Sequence, residues 1–333
     1  AIGGSNIILV DNEFILALFG FFIGTLAGFL GVGGGFMLTP SLFALGIRME
    51  VAVGTSLGYT AGVSALAATR HGRLGHADFK LACFMTPGAL VGVEIGARTI
   101  EFLKQMGSSA TEMGVGLAYV VTLSVISLYT LRETLKSGKD GFIAGRNRIL
   151  SGIRKMKIPP MVSLPKSGIP SVSMWGIVSA GLMTGIAIGF MGTGGGFTNM
   201  AMLLYVVGCR TIVAVGTSLL GVTISSAYGS FSHALKGNLD ITLVMITLAG
   251  GIIGAPLGVT ATRHVEERRI RLLFGFCTGL TATSLFLQLF AKASGIIVLA
   301  RLSQAILGGT IAVASMVVVA SWLFHWAQAE RIV

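Results

Sequence analysis

Charge is what this chain has least of. Only 11% of its 333 residues are charged, 13 of them acidic, while 53% are hydrophobic and the mean hydropathy is +0.85. That composition excludes a typical soluble globule, and it excludes a disordered chain as well, because both need polar residues that are missing here. Cysteine is scarce too. Cys83, Cys209 and Cys277 lie in or beside apolar stretches, are odd in number and show no metal-ligand spacing. They read as small packing residues, and no metal site is expected. Enzyme signatures are wanting: no Lys follows a glycine run as a phosphate-binding loop requires, no HExxH occurs, and no Ser–His–Asp order persuades. The glycine runs also lack the strand–turn–helix setting and downstream acid of a dinucleotide site, so no cofactor is expected and the chain is read as a non-enzyme. The net charge of +11 falls mostly in short loops between apolar runs, with no basic–aromatic interleaving. It reads as membrane orientation, with lipids and not nucleic acid as the partner.

What the chain has in abundance is apolar length. Aliphatic runs recur from end to end, so a polytopic all-α membrane protein is expected. Residues 14–47 and 172–209 contain no charge. A straight helix of either length would rise about 50 Å or more, against a hydrocarbon core of about 30 Å. Each run contains a matching interruption: GFLGVGGGF at 28–36 and GFMGTGGGF at 189–197, each followed by VAVGTSL, at 51–57 and 213–219. Three successive glycines in an apolar helix free backbone donors that hydrocarbon cannot satisfy. Each run is therefore expected to be a helix followed by a half-helix, at 36–47 or 197–209. Further spans are expected near 51–69, 81–97, 113–131, 211–235, 241–262, 272–291 and 302–326, giving about eight or nine transmembrane segments.

The duplication extends past the motifs. At a constant spacing of 162, Gly54 matches Gly216, His71 matches His233, Asp78 matches Asp240, and Gly92 matches Gly254. The expected organisation is a first transmembrane repeat at 14–135, a basic linker at 136–171 with four of the seven prolines, a second repeat at 172–291, and an additional helix at 302–326. Orientation separates two kinds of repeat. If the broken segments cross fully, the repeats are parallel; if they fold back as re-entrant hairpins, the repeats are inverted. With the linker inside, the inverted arrangement places 18 of the 24 Lys and Arg inside, and the parallel one 15. The cluster Arg263, Arg268, Arg269 and Arg271 makes most of that difference. Inverted repeats with a cytoplasmic linker are therefore predicted. Residue 1 is Ala, and no cleavable signal sequence is read after it.

GFLGVGGGF and GFMGTGGGF, each with AVGTSL, together with HALKGNLD at 233–240, resemble the sulfite exporter TauE/SafE family, also called the sulfonate uptake permease family. The resemblance covers about residues 14–290 apart from the linker. It implies a multi-pass permease of the cytoplasmic (inner) membrane that moves sulfite, sulfonates or related small organic anions, with substrate and direction left open.

The residues themselves point to an anion. At the start of a half-helix, backbone N–H groups lie along the axis without intrahelical partners, and the helix dipole adds partial positive charge. Such ends bind oxyanions without a formal charge. Gly33, Gly34 and Gly35 in one half, and Gly194, Gly195 and Gly196 in the other, are the candidate substrate site; close helix packing is the alternative. Thr55, Ser56, Thr217 and Ser218 offer hydroxyl donors, or serve equally as caps and interhelical bonds. Asn199 and Thr39 on the half-helices are weaker candidates. Glu94 is the acid deepest in an apolar span, and either couples protons or pairs with Arg98 one turn on, the pair being favoured. His71 and His233 are candidate proton-coupling residues by their titration range, although their places near span ends suit a capping role better. Without an ATPase motif, active transport would draw on an ion gradient or the substrate's own. A secondary carrier working by alternating access, with export favoured, is the leading expectation. A passive anion channel, proton-coupled uptake of an organic anion, and a membrane-embedded enzyme or sensor are the alternatives. A homo-oligomer is left open.

Overall fold

The computed structural model describes residues 13–136, 158–262 and 265–330. Those residues form a helical bundle: α1 Glu13–Leu30, α2 Gly35–Ala44, α3 Met49–Arg73, α4 Phe79–Gln105, α5 Ser108–Lys136, α6 Met174–Met191, α7 Gly196–Val207, α8 Thr211–Leu235, α9 Ile241–Ala261, α10 Glu267–Ser294 and α11 Ile297–Glu330. Nine of them are long and apolar enough to cross a membrane; α2 and α7 are too short. The last turns of α7, Met202–Val207, wind as a π-helix. Arg263 lies outside the described residues, as does most of the expected linker. The described end of the linker carries a two-stranded antiparallel hairpin, β1 Met161–Leu164 and β2 Ile169–Ser173, which an all-helical reading of the sequence did not include. Its turn uses Gly168 at φ 71°. Ser167 Oγ bonds Asp78 Oδ2 at 2.7 Å, tying the hairpin to the start of α4.

Which residues meet fixes the direction of every helix. Gly34 sits against Ile23 and Ala27 of α1, although eleven residues of straight helix from Ile23 would carry it about 16 Å away. At the other end of α2, Ala44 and Leu45 border the same groove as Ile15, Leu16 and Phe19. So α2 folds back along α1 and returns to the Glu13 face. In the second half, Gly195 sits against Ile188 of α6, and Tyr205 near the end of α7 bonds Thr130 of α5 through its hydroxyl at 3.0 Å. Thus α7 returns toward the Lys136 face, where α6 begins. Both broken segments are re-entrant hairpins, and they enter from opposite faces. The sequence left open whether these segments span or re-enter, and these contacts decide for re-entry.

The halves interlock through glycine. On α1, Gly20, Gly24 and Gly28 meet Thr247, Gly251 and Ala255 of α9; on α6, Gly181, Gly185 and Gly189 meet Met85, Ala89 and Val93 of α4. Equal steps on both partners make each pair parallel. By contrast, α3 and α8 cross antiparallel, with Gly54 against Asn238, Leu57 against Gly229 and His76 against Gly216. The bundle thus carries an approximate two-fold axis in the membrane plane, the symmetry of inverted repeats. In lipid, helices are not driven together by hydrophobicity, so backbone-to-backbone approach at small residues supplies the adhesion.

One consequence is testable by thermal unfolding in detergent. At Gly185 a methyl would collide with the Ala89 carbonyl, whereas at Gly309 it would meet nothing within 4 Å. Gly185→Ala is expected to lower the unfolding midpoint, at a cost of about 1–3 kcal/mol of overpacking. Gly309→Ala, the same change in an open helix, should be neutral or stabilising by about 0.5–1 kcal/mol.

Candidate functional site

The two interruptions meet at the centre of the bundle. Gly35 faces the Thr193 carbonyl and Gly196 faces the Val32 carbonyl, so each half-helix starts against the break of the other hairpin. Phe36 and Phe197, one residue into each half-helix, lie with ring centroids 6.1 Å apart. Gly33, Gly34, Gly194 and Gly195 all have positive φ, from 65° to 87°, the left-handed backbone that glycine adopts without strain. The result is a set of buried amides pointing away from regular structure. Among the described residues, the amides of Gly33, Gly34, Gly35, Gly194 and Gly196 donate to no protein acceptor; Gly195 N donates to Thr193 Oγ1 at 2.9 Å.

Hydroxyls complete the surroundings. Ser218 Oγ donates to the Gly196 carbonyl at 3.3 Å, and Asn199 Nδ2 to the Ser218 carbonyl at 3.3 Å. Ser226 Oγ donates to the Gly194 carbonyl at 3.2 Å. Ser56 is buried with no partner for its hydroxyl, and Asn199 Oδ1 is likewise unpartnered. Thr39 spends its hydroxyl on the Gly192 carbonyl at 3.0 Å, pinning α2 to the other break. Thr55 and Thr217 are engaged elsewhere. Thr55 Oγ1 accepts the Asp240 amide at 3.1 Å and Thr217 Oγ1 accepts the Asp78 amide at 2.9 Å. Each ties its helix to the turn opening a long helix of the opposite half, and the two ties lie at opposite faces. α3 starts at Met49, so Thr55 stands in its second turn and not at its beginning.

Two residues that the motifs did not single out stand closer to the glycines. A methyl on Gly33 would lie 2.6 Å from Thr60 Cγ2 and 2.8 Å from Ser64 Oγ; one on Gly194 would lie 2.9 Å from Thr60 Oγ1. Thr60 therefore touches both interruptions. Ser56, Thr60 and Ser64 repeat every four residues and form one stripe on α3. All three are fully buried, and neither the Thr60 nor the Ser64 hydroxyl has a partner; Ser225 on α8 is in the same condition. The match to Thr60 in the second half is Val222, so the centre is chemically asymmetric.

The histidines have a structural task that symmetry repeats. His71 Nε2 bonds the Gly28 carbonyl at 3.2 Å and His233 Nε2 the Gly189 carbonyl at 2.9 Å. A carbonyl only accepts, so each ring carries its proton on Nε2. Those carbonyls belong to the last turns of α1 and α6, where a helix end leaves acceptors without partners. Each histidine caps a broken helix. Glu94 lies between α4 and α8. Its Oε1 accepts from Arg98 Nε at 2.9 Å and stands 3.7 Å from Lys236 Nζ, and its Oε2 accepts from Ser232 at 2.9 Å and Tyr228 at 3.3 Å. With two cations and two hydroxyls around it, this carboxylate fastens the two helices together. Among the described residues no cluster of three His, Cys, Asp or Glu is placed to hold a metal.

Interlocked inverted repeats around paired re-entrant hairpins, with unpaired donors where the hairpins meet, are the architecture of a membrane transporter. The family model for the sulfite exporter TauE/SafE matches residues 16–285, and the chain belongs to that family. A Bacillus subtilis protein named probable membrane transporter protein YjnA is 24% identical over 259 residues, which cover 78% of this chain and 93% of the relative. A second from that organism, probable membrane transporter protein YunE, is 23% identical over 274 residues, covering 78% and 92%. A probable membrane transporter protein of Xylella fastidiosa is 33% identical over 99 residues, 29% of this chain and 38% of the relative. No solved structure was found to match.

Proposed function

We propose that this membrane transporter is a secondary carrier for a small sulfur oxyanion or organosulfonate such as sulfite, held where the two interruptions meet and released to either side by rocking of the halves. One observation carries the reading. Five backbone amides at the interruptions, and the Thr60 and Ser64 hydroxyls against them, are buried without protein acceptors. Native proteins pair nearly all such groups. What these lack is an acceptor, and an oxyanion supplies several at once. None of the groups carries a formal charge, so a ligand is bound without a fixed counter-ion to hold it permanently, as turnover requires.

The entry of the two hairpins from opposite faces supports alternating access, since each hairpin can open toward its own face. Among the described residues the Lys136 face carries Arg70, Arg73, Lys80, Arg132, Lys136, Lys166, Arg210, Arg268, Arg269 and Arg271, whereas the Glu13 face has only Arg48, Arg98, Lys104, Lys236, Lys292 and Arg301. We place the Lys136 face and the linker in the cytoplasm of an inner-membrane protein on that balance and on the basic linker sequence. A negative interior then drives an anion outward, which favours export without a coupling ion. The test is flux of labelled sulfite, an alkylsulfonate and a carboxylate in proteoliposomes, with and without a pH gradient. Saturable counter-flow of the sulfur anions supports the carrier. Electrodiffusive current without counter-flow would make it a channel, and chemical conversion of the substrate an enzyme.

A further inference from the structure

A second polar site lies on the Glu13 face, away from the glycines. A pocket of 460 Å³ opens where the end of α2 meets α5, α10 and the start of α11, and Arg48, Glu112, Gln288 and Lys292 are its polar lining. It shares Ala44 and Leu45 with an almost wholly apolar groove of 150 Å³ that descends between α1 and α11 past Phe19, Leu307 and Gly308. Helix ends surround the pocket, so it sits at the level of the membrane surface, and the groove runs below it into the hydrocarbon. A polar chamber at that level continued by an apolar channel has the shape of an amphiphile.

The chamber's charges define the head group. Lys292 Nζ bonds Glu112 Oε2 at 2.5 Å, and Arg48 Nη1 stands 3.5 Å from Glu50 Oε1. The charges balance, so no excess anionic charge is demanded. Both cations remain more than half exposed and keep spare N–H donors for a phosphate. In the same lining, Gln288 Oε1 is buried with no donor. That acceptor needs an N–H. An ethanolamine ammonium has three; a choline has none. At the corresponding end of α7, Tyr205 bonds Thr130 and packs edge-on against Tyr129 with centroids 4.7 Å apart. The chamber exists because α11, which has no counterpart in the repeat, lies beside the first hairpin alone.

We propose that chamber and groove hold one zwitterionic phospholipid of the phosphatidylethanolamine type. Its phosphate lies on Arg48 and Lys292, its ammonium on Gln288 Oε1 and Glu112, and one acyl chain follows the groove. The lipid rests on the outer end of α2, whose inner end begins at the tri-glycine, so it steadies the first hairpin and not the second.

The test uses the full chain in nanodiscs of equal parts phosphatidylethanolamine, phosphatidylcholine and phosphatidylglycerol, with retained lipid read by native mass spectrometry after detergent transfer. One charge-assisted hydrogen bond predicts about ten-fold retention of the ethanolamine lipid over the choline lipid. Gln288→Leu should bring that ratio to parity, and Gly308→Leu, which fills the groove, should reduce every bound lipid. Equal retention of ethanolamine and choline lipids by the unaltered chain overturns the proposal without recourse to any variant. So does a preference for the glycerol lipid, or an ethanolamine preference that survives Gln288→Leu.

Discussion

Alanine at Gly34 or Gly195 is expected to reduce anion flux about a hundred-fold or more, while alanine at Gly46 leaves it near the native rate. All three glycines have positive φ: 87°, 71° and 92°. Each substitution therefore carries the same backbone strain, about 1–2 kcal/mol for an L-residue in the left-handed region. Their surroundings differ. A methyl on Gly34 would lie 2.8 Å from Ile23 Cγ2 and 3.0 Å from Tyr59 Cε1, one on Gly195 would collide with the Ile188 side chain, and one on Gly46 would meet nothing within 4 Å. At the two central positions the hairpin must shift, and the unpaired amides shift with it. Misplacing two hydrogen bonds to a charged ligand accounts for about a hundred-fold. Gly46 controls for strain alone, since it lies in the loop after α2. The measurement is the initial rate of labelled sulfite flux in proteoliposomes, on protein that elutes as a single symmetric peak. Native rates in both central variants would remove the interruptions from the path.

The features legible in the sequence were those written in hydropathy and in glycine. Charge-free runs too long for one crossing, each with three glycines at its middle, required broken helices. The Lys and Arg count favoured inverted over parallel repeats, 18 against 15 inside, with Arg263, Arg268, Arg269 and Arg271 making most of the difference, and left re-entry to the contacts. The polar partners were less legible. Thr55 and Thr217 stand out because the motif repeats them, yet repetition marked their shared tie to the Asp240 and Asp78 amides. Thr60 was missed for the opposite reason: its match is Val222, and a search guided by symmetry discards it. The spacing Ser56, Thr60, Ser64 along one helical face was the available signal. The histidines were visible as a matched pair, but their partners, the carbonyls of Gly28 and Gly189, are tertiary and leave no local trace. The β-hairpin was hidden because prolines dominate its segment and its anchor, Asp78, is 89 residues from Ser167.

Replacing Thr60 by valine should raise or preserve stability while lowering transport. Valine keeps the branched shape of threonine and exchanges the hydroxyl for a methyl. Thr60 is fully buried, and its Oγ1 has no partner in the protein. In the empty carrier that hydroxyl is a liability of about 1–3 kcal/mol, so its removal relieves the fold. In the loaded carrier it is a donor to the anion, and its loss should weaken apparent affinity about ten-fold. Opposite signs for stability and transport separate a ligand group from a packing group, because a packing residue would lose both together. The asymmetry with Val222 gives a second arm. Val222 Cγ1 stands on the other side of the same crossing, 3.0 Å from where a methyl on Gly33 would lie. Adding Val222→Thr to Thr60→Val returns one hydroxyl to the centre from α8, and part of the lost affinity should return with it. Thermal unfolding and sulfite counter-flow on the three variants decide the matter. Unchanged affinity in Thr60→Val would leave the buried hydroxyl stripe without a part in substrate binding, and the site would then rest on backbone amides alone.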